Sequence, residues 1–216
     1  IILRLNNGSY PVSQSFSESL ENPTWRDFLE MCKPRVVLLM LLCSLVGMLL
    51  ASESFVGLDI LILGNLGIAL VAGSAAALNH LIDSRIDARM DRTKDRPVAQ
   101  GRVRPLQGAI FVGVTGSLGI TILALYINPT TAWLNFGSWL GYGVIYSIYL
   151  KRLTPQNIVI GGLFGAAPPL FGWTAVTGSI DGGGLILVLI IFAWTPPHFW
   201  ALAIDRKEEY RKVNVP

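Results

Sequence analysis

The chain has 216 residues, of which 52% are hydrophobic and only 14% are charged. Soluble domains average roughly 25% charged residues, so this composition excludes an ordinary soluble protein and indicates one embedded in the lipid bilayer. The net charge of +3 is modest and requires no nucleic-acid partner.

The N-terminal segment, residues 1–27, is polar and is predicted to be a poorly structured lead-in to a transmembrane domain at 28–216. It lacks the basic-then-apolar layout of a signal peptide and has too few arginines for a clear transit peptide. Two cysteines, Cys32 and Cys43, provide neither a disulfide framework nor a metal site. The chain stops inside a charged segment, so we expect it to be part of a longer protein.

Six stretches are long and apolar enough to cross a bilayer, which takes about 20 residues. Several contain internal glycine or proline, which membrane helices tolerate where neighbouring helices satisfy the backbone. The predicted fold class is therefore all-α, a polytopic membrane helix bundle. The predicted spans cover approximately residues 36–53, 58–79, 107–127, 131–150, 157–178 and 184–204.

The basic residues orient these spans. All 17 lysines and arginines lie before the first span or in segments that six spans would place on that same side, namely 85–104, 151–152 and 206–212. The other connections contain none. By the positive-inside rule, the basic side is cytoplasmic, or the matrix side if the membrane is mitochondrial. Because a clear transit peptide is lacking, we expect an integral protein of a bacterial inner membrane.

The second predicted span ends in polar residues that recur every four positions. They are Asn79, Asp83, Asp87 and Asp91. This spacing places side chains along one side of a helix, where carboxylates repel one another unless positive charge lies between them. At the rim of a membrane span, the series predicts a site for a divalent cation and the anion bound to it.

The connection that follows, residues 85–104, mixes these carboxylates with arginine and lysine. Mg²⁺ is usually held by one or two carboxylates together with substrate phosphates, and basic side chains stabilise a departing diphosphate. The pattern favours a diphosphate substrate whose tail lies in the membrane. The alternative is a solvated helix end with Asp–Arg pairs. Asn79 favours the binding site, because it extends the series into the apolar segment, where polar groups are costly.

Four separate segments resemble one protein family in the same order. They are LEMCKPRVVLLMLLCSLVGMLLA, NHLIDSRIDARMDRTKDRPVAQGRV, YLKRLTPQNIVIGGLFGAAPPLFGW and WTPPHFWALAIDRKEEYRKVNVP. The second segment opens with an N-x-x-x-D-x-x-x-D pattern that resembles the first Asp-rich motif of the UbiA superfamily of intramembrane prenyltransferases. The four together are most similar to its haem-farnesylating branch, the haem O synthases. Members typically have nine spans, so the resemblance implies that three C-terminal spans are missing here.

The resemblance implies a prenyltransferase activity that depends on Mg²⁺ and serves the biogenesis of haem–copper oxidases. A farnesyl group would pass from farnesyl diphosphate to a vinyl group of haem b, which is protohaem IX. It also implies that haem A synthase or another oxidase-assembly protein is a candidate partner.

The same resemblance assigns roles to residues of the series. Asn79, Asp83 and Asp87 match the catalytic positions that hold Mg²⁺ on the prenyl diphosphate. Asp91 lies one step beyond the shared motif and is predicted to be an accessory ligand or the partner of an arginine. The residues expected to bind the diphosphate are Arg92, Arg96, Lys151 and Arg152. Tyr146 precedes the last pair and is predicted to be accessory, or else part of an aromatic belt at the interface.

A second acidic pair lies after the sixth span. Asp205 and Glu209 are four residues apart, as a second metal site would require, and Glu209 matches a position where the family has an acid followed by tyrosine. The alternative is an ordinary surface helix, since Arg206 and Lys207 crowd these acids.

His198 follows a Pro-Pro pair inside the sixth span. Proline interrupts the helical hydrogen bonds, so we expect a kink there. The resemblance implies that His198 meets the haem iron or a propionate of the acceptor. The alternative is a histidine hydrogen-bonded between helices.

Two rival functions follow from the same sequence. One is a UbiA-type enzyme with another acceptor, such as a quinone precursor or chlorophyllide, which the TPPHFWAL segment disfavours. The other is a transporter that uses carboxylates as a cation path. Such a path would place ionisable groups at mid-membrane, whereas these acids cluster at one rim.

Overall fold

The computed structural model describes residues 22–150, 153–154, 156–205, 207 and 211. This part of the chain is helical and contains no strand, which confirms the all-α fold class. The helices are α1 Trp25–Met31, α2 Pro34–Leu50, α3 Asn65–Asp87, α4 Pro105–Ile122, α5 Pro129–Trp139, α6 Asn157–Ala166, α7 Pro168–Thr177 and α8 Gly182–Asp205.

Three π-helical segments extend these helices. One leads into α3 and the others continue α4 and α5; they are Ile60–Gly64, Leu123–Ile127 and Leu140–Leu150. The helical stretches therefore become longer than the α-helices alone, and each of the six predicted spans coincides with helix in the described residues.

By length and composition, fewer than six stretches qualify as membrane spans. Four do in the part of the chain that the structure describes, namely Ile60–Asp87, Pro105–Ile127, Val159–Thr177 and Gly182–Asp205. A fifth arises if α1 and α2, which meet at a bend of 55°, form one broken span. The remaining predicted span, 131–150, is helical, but its many Tyr, Trp, Thr and Asn residues lower its hydropathy.

Sequence signals at the helix starts explain where the chain turns. The Thr24 side chain and backbone both donate to Asp27, which closes a capping box at α1. Proline occupies the first turn of α2, α4, α5 and α7, where its missing N–H has no helical partner to lose. α1 thus begins at Trp25, slightly before the predicted end of the lead-in.

Proline has different effects in the fifth and sixth predicted spans. Pro168 ends α6 and starts α7, so the fifth span is broken there. Pro196 and Pro197 lie inside α8, which continues through them to Asp205.

Small residues allow the helices to approach closely. A Cβ on Gly172 of α7 would lie 1.9 Å from the carbonyl oxygen of Ser44 on α2, and one on Gly47 would lie 2.1 Å from that of Pro169. The backbones of α2 and α7 are therefore in direct contact, which membrane helices achieve only with such residues.

α3 lies at the centre of the bundle and is buried along one side. Its residues from Gly73 to Ala77 are all buried. Ser74 donates to the carbonyl of Val112 on α4 at 2.9 Å and accepts from Trp139 of α5 at 3.0 Å. These bonds join three helices around the segment that leads directly into the polar end of α3.

Candidate active site

The polar series at the end of α3 is buried. Asn79, Asp83 and Asp87 are 5%, 1% and 3% exposed. Carboxylates seldom lie this deep unless they are paired or bind a cation. The burial contradicts the alternative of a solvated helix end for these three residues.

Hydrogen bonds connect Asn79 to its neighbours on two helices. Its Nδ2 donates to Asp83 Oδ2 at 2.9 Å and to Ser147 Oγ at 3.1 Å. Ser147 lies in the π-helical continuation of α5 and donates in turn to the carbonyl oxygen of Tyr142. The amide orientation is therefore set by two donor contacts, which leave its Oδ1 as the atom available to cations.

A lysine from the start of α2 occupies that oxygen. Lys33 Nζ donates to Asn79 Oδ1 at 3.0 Å, although the two residues are 46 positions apart in the chain. Lys33 is half-buried and lies between α1 and α2. Positive charge is thus brought to the acidic series from a second helix.

Arg96 supplies positive charge at the other end of the series. Its Nη1 lies 2.7 Å from Asp87 Oδ2, and the two side chains are 19% and 4% exposed. Thr93 donates to the backbone carbonyl of Asp87 at 3.1 Å. Arg96 thus lies beside the acids and pairs with a carboxylate. Its predicted contact with a diphosphate stays a prediction.

Asp91 does not continue the helical series, so that expectation was wrong. α3 ends at Asp87, and tight-turn hydrogen bonds from Arg89 and Met90 to Ile86 and Asp87 redirect the chain. Asp91 is exposed and pairs with Lys94 at 3.1 Å. The Thr93 hydroxyl and the Met90 N–H both donate to the carbonyl of Asp87, the last residue of the helix.

The basic connection folds back over the polar end of α3. Arg102 forms ion pairs with Asp27 and Glu30 of α1. Val98 and Val103 enter a buried apolar cluster with Met31. Both contacts hold the connection against the bundle and keep Arg96 beside Asp87.

The donor set fits Mg²⁺. Asn79, Asp83 and Asp87 offer hard oxygen ligands, and Mg²⁺ needs only one or two carboxylates when substrate phosphates complete its shell. Within the described residues there is no group of three or more His, Cys, Asp or Glu residues that could hold a metal ion by themselves. Water or substrate oxygens would complete the coordination shell of a metal bound here.

Aromatic side chains lie near this site on Leu140–Leu150, the π-helical continuation of α5. Tyr142 and Tyr146 stack with ring centroids 5.5 Å apart. A Cβ on Gly161 of α6 would come within 2.6 Å of the Tyr146 ring. Tyr146 therefore packs between α5 and α6, and its predicted accessory role stays a prediction.

Other predicted residues are not assembled with the series. Arg92 is exposed and has no hydrogen bond or ion pair to the described residues. Asp205 is exposed at the end of α8, and the exposed His198 stacks on Trp194 with centroids 4.2 Å apart. Among the described residues, none is hydrogen-bonded to His198. The predictions for Lys151, Arg152 and Glu209 lie outside the described residues.

Sequence reasoning missed the contributions of Lys33 and Ser147. The Lys33-Pro34-Arg35 run immediately before a span, on the same membrane side as the acids, was the available signal for Lys33. Ser147 had none, because a serine in an apolar span carries no positional information. His80 is also buried, and both of its ring nitrogens lack a hydrogen-bond partner in the described structure.

Together these features define a polytopic membrane helix bundle. It contains a buried pair of carboxylates next to basic side chains from two other segments. A family model described as the UbiA prenyltransferase family matches residues 40–216. The chain belongs to this family.

Its similar relatives are bacterial proteins named protoheme IX farnesyltransferase. The chain is 62% identical to one from Teredinibacter turnerae, over 89% of this chain and 62% of the relative. It is 59% identical to one from Shewanella oneidensis, over 95% of this chain and 68% of the relative. The chain thus spans less than two thirds of the length of the Teredinibacter protein.

Two solved structures share the fold. A UbiA homolog from Archaeoglobus fulgidus bound to DMAPP and Mg²⁺ superimposes with a TM-score of 0.74 at 18% identity, covering 88% of this chain and 67% of the homolog. Digeranylgeranylglyceryl phosphate synthase gives a TM-score of 0.73 at 19% identity, with 88% and 66% coverage. At these identities the likeness establishes the fold alone.

Proposed function

We propose that this chain is the metal- and diphosphate-binding part of a haem O synthase. In this reaction a farnesyl group passes from farnesyl diphosphate to a vinyl group of haem b. The observation that carries the proposal is the burial of Asp83 and Asp87 beside Arg96 at the polar end of α3. The names of relatives that are about 60% identical support haem as the acceptor.

In this proposal the substrate diphosphate binds at the end of α3, and its farnesyl tail extends between the helices. Asp83 and Asp87, with Asn79, would hold Mg²⁺, which supplies charge to neutralise the diphosphate oxygens. Lys33 and Arg96 already lie at the two ends of this series. Their ammonium and guanidinium groups can donate to the diphosphate and stabilise it as it departs.

The chemistry needs no covalent nucleophile from the protein. The allylic C–O bond breaks with its electron pair on the diphosphate, and the haem vinyl group attacks the farnesyl carbon. Water then adds to the resulting cation and loses a proton, which gives the hydroxyethylfarnesyl group. The apolar wall of α3, with buried Ala75, Ala76 and Ala77, would keep water from the allylic cation before the vinyl group reaches it.

The proposed location is a bacterial inner membrane, with the site on the cytoplasmic side. The polar end of α3 leads directly into the basic connection to α4, which contains Arg96. The positive-inside rule would place this connection in the cytoplasm. An oxidase-assembly partner stays a prediction.

Activity of the full-length protein tests the proposal. Purified protein in nanodiscs would receive haem b, farnesyl diphosphate and Mg²⁺, with EDTA in a parallel sample, and haem O would be followed by chromatography and mass spectrometry. We expect haem O only in the sample with free Mg²⁺. An acceptor panel of quinone precursors and chlorophyllide serves as the specificity control.

Each result has a distinct meaning. Metal-dependent transfer to another acceptor, with haem b unchanged, would refute the acceptor and keep the reaction class. Transfer that continues fully in EDTA would refute the metal assignment. A protein that binds no farnesyl diphosphate would refute the proposed function as a whole.

A further inference from the structure

Lys33 has an unusual backbone conformation at the junction of α1 and α2. Its φ and ψ are 52° and 63°, in the left-handed region. Among the described residues, it is the only non-glycine residue with positive φ. Residues other than glycine rarely adopt this backbone conformation. Those that do are concentrated at functional sites. We therefore look for the cause of this conformation in the contacts that Lys33 makes.

The contact in question is with the Asn79 amide. Because Asn79 Nδ2 already donates to Asp83 and Ser147, its Oδ1 is the one atom left that could bind a metal. Lys33 Nζ lies 3.0 Å from that atom. A lysine ammonium is thus located where the metal-binding face of Asn79 would meet its cation.

The opposite end of the series has the same arrangement. Arg96 Nη1 lies 2.7 Å from Asp87 Oδ2. Both ends of the Asn79–Asp87 series are therefore in contact with positive side chains. A divalent cation that arrived alone would meet like charges at both ends, and like charges in a buried site repel strongly.

We propose that Lys33 couples metal binding to diphosphate binding. In the resting site its ammonium holds Asn79 Oδ1. When a metal and a prenyl diphosphate bind together, the ammonium moves to a diphosphate oxygen and Asn79 Oδ1 turns to the metal. The inference deepens the proposed function, since it takes a prenyl diphosphate as the substrate.

A definite thermodynamic signature follows. Metal alone binds weakly, because Lys33 competes for its ligand. Diphosphate gives the ammonium an anionic partner, so it strengthens metal binding, and by linkage the metal strengthens diphosphate binding equally. A residue that only supported the fold would not produce opposite effects on the two ligands.

The experiment measures metal binding without haem. Full-length protein in nanodiscs would be titrated with Mn²⁺, followed by electron paramagnetic resonance, with and without farnesyl thiodiphosphate, an analogue that does not react. For the wild type we expect the analogue to tighten Mn²⁺ binding at least about tenfold, within the usual range of such couplings. In Lys33→Met, Mn²⁺ alone should bind several-fold tighter and the analogue about tenfold weaker.

Two further variants make the test specific. Lys33→Gly also removes the ammonium, and glycine is suited to positive φ, so this variant should fold and repeat the Lys33→Met result. Lys94→Met removes an ammonium from the exposed pair with Asp91 and should leave both affinities unchanged.

Three results would overturn the inference. They are the absence of coupling in the wild type, unchanged affinities in both Lys33 variants, and weaker binding of both ligands in both variants. The last would indicate a structural role. The Mn²⁺ titration contains no haem. If it shows the coupling but the separate activity assay shows no farnesyl transfer to haem b, that failure would count against the proposed acceptor alone.

Discussion

α3 and α8 carry similar residues in very different surroundings. Both helices are long and apolar, and each carries an aspartate after its apolar stretch, Asp87 in α3 and Asp205 in α8. Half of the most apolar stretch of Ile60–Asp87 is buried, compared with 6% for Gly182–Asp205. Among the described residues of this chain, the aspartates on a helix are buried where other segments enclose them and exposed where none does.

Packing explains the difference. The end of α3 is enclosed by Lys33, Ser147 and Arg96, each from another segment. α8 instead presents Leu185, Leu189 and Trp194 outward in the part of the chain that the structure describes. A protein can keep a carboxylate buried only if it supplies compensating partners.

The largest expected effect is on activity when the enclosed end is altered. Asp83→Asn removes a buried carboxylate from the series, and we expect turnover to fall below about one hundredth of wild type, since even outer-shell changes at metal sites cost roughly 10–100-fold. Haem O formation by the full-length protein measures this. The matched control is Asp59→Asn, at an exposed aspartate before α3, which should retain normal turnover. Equal losses of turnover in the two variants would show that the buried Asp83 has no special role.

The ion pair at the same end should matter for stability. Arg96→Met leaves Asp87 buried without its arginine, and breaking such a pair costs about 3 kcal/mol. We expect a lower thermal unfolding temperature in detergent. Adding Asp87→Asn should recover most of the loss without restoring activity. The exposed pair gives the control, because Lys94→Met should cost no more than about 1 kcal/mol.

Helix packing away from the polar residues should have a somewhat smaller effect. Gly172→Ala would force a Cβ to within 1.9 Å of the Ser44 carbonyl oxygen, and such overpacking costs about 1–3 kcal/mol. Gly165→Ala in α6 has nothing within 4 Å of the added atom and should be neutral or slightly stabilising. Thermal unfolding of both variants compares them; similar losses would show that the α2–α7 contact can yield.

The smallest effect concerns the exposed end of the comparison. His198→Phe retains a ring that can stack on Trp194, so the unfolding temperature should hardly change. If His198 contacts the acceptor as predicted, the KM for haem b should rise about tenfold, which corresponds to the loss of one hydrogen bond to a charged group. An unchanged KM for haem b would show that His198 does not contact the acceptor and that other residues bind it.

Much of the site could be predicted because it rests on one helix. The four-residue spacing from Asn79 to Asp87 specifies a common face whatever surrounds it. Asp91 was misplaced because the four-residue spacing does not show where the helix ends. The turn after Asp87 is held by contacts such as that of Thr93 with the Asp87 carbonyl, and these depend on how the following residues fold.

The sequence by itself determined that this protein is a membrane helix bundle and which carboxylates share a face. These properties depend on hydropathy and on helical periodicity, and both are local. Only the tertiary structure decided that Lys33 and Ser147 reach Asn79, that Arg96 pairs with Asp87, and that His198 stays exposed. Those contacts join residues far apart in the chain, and their geometry depends on how the helices pack.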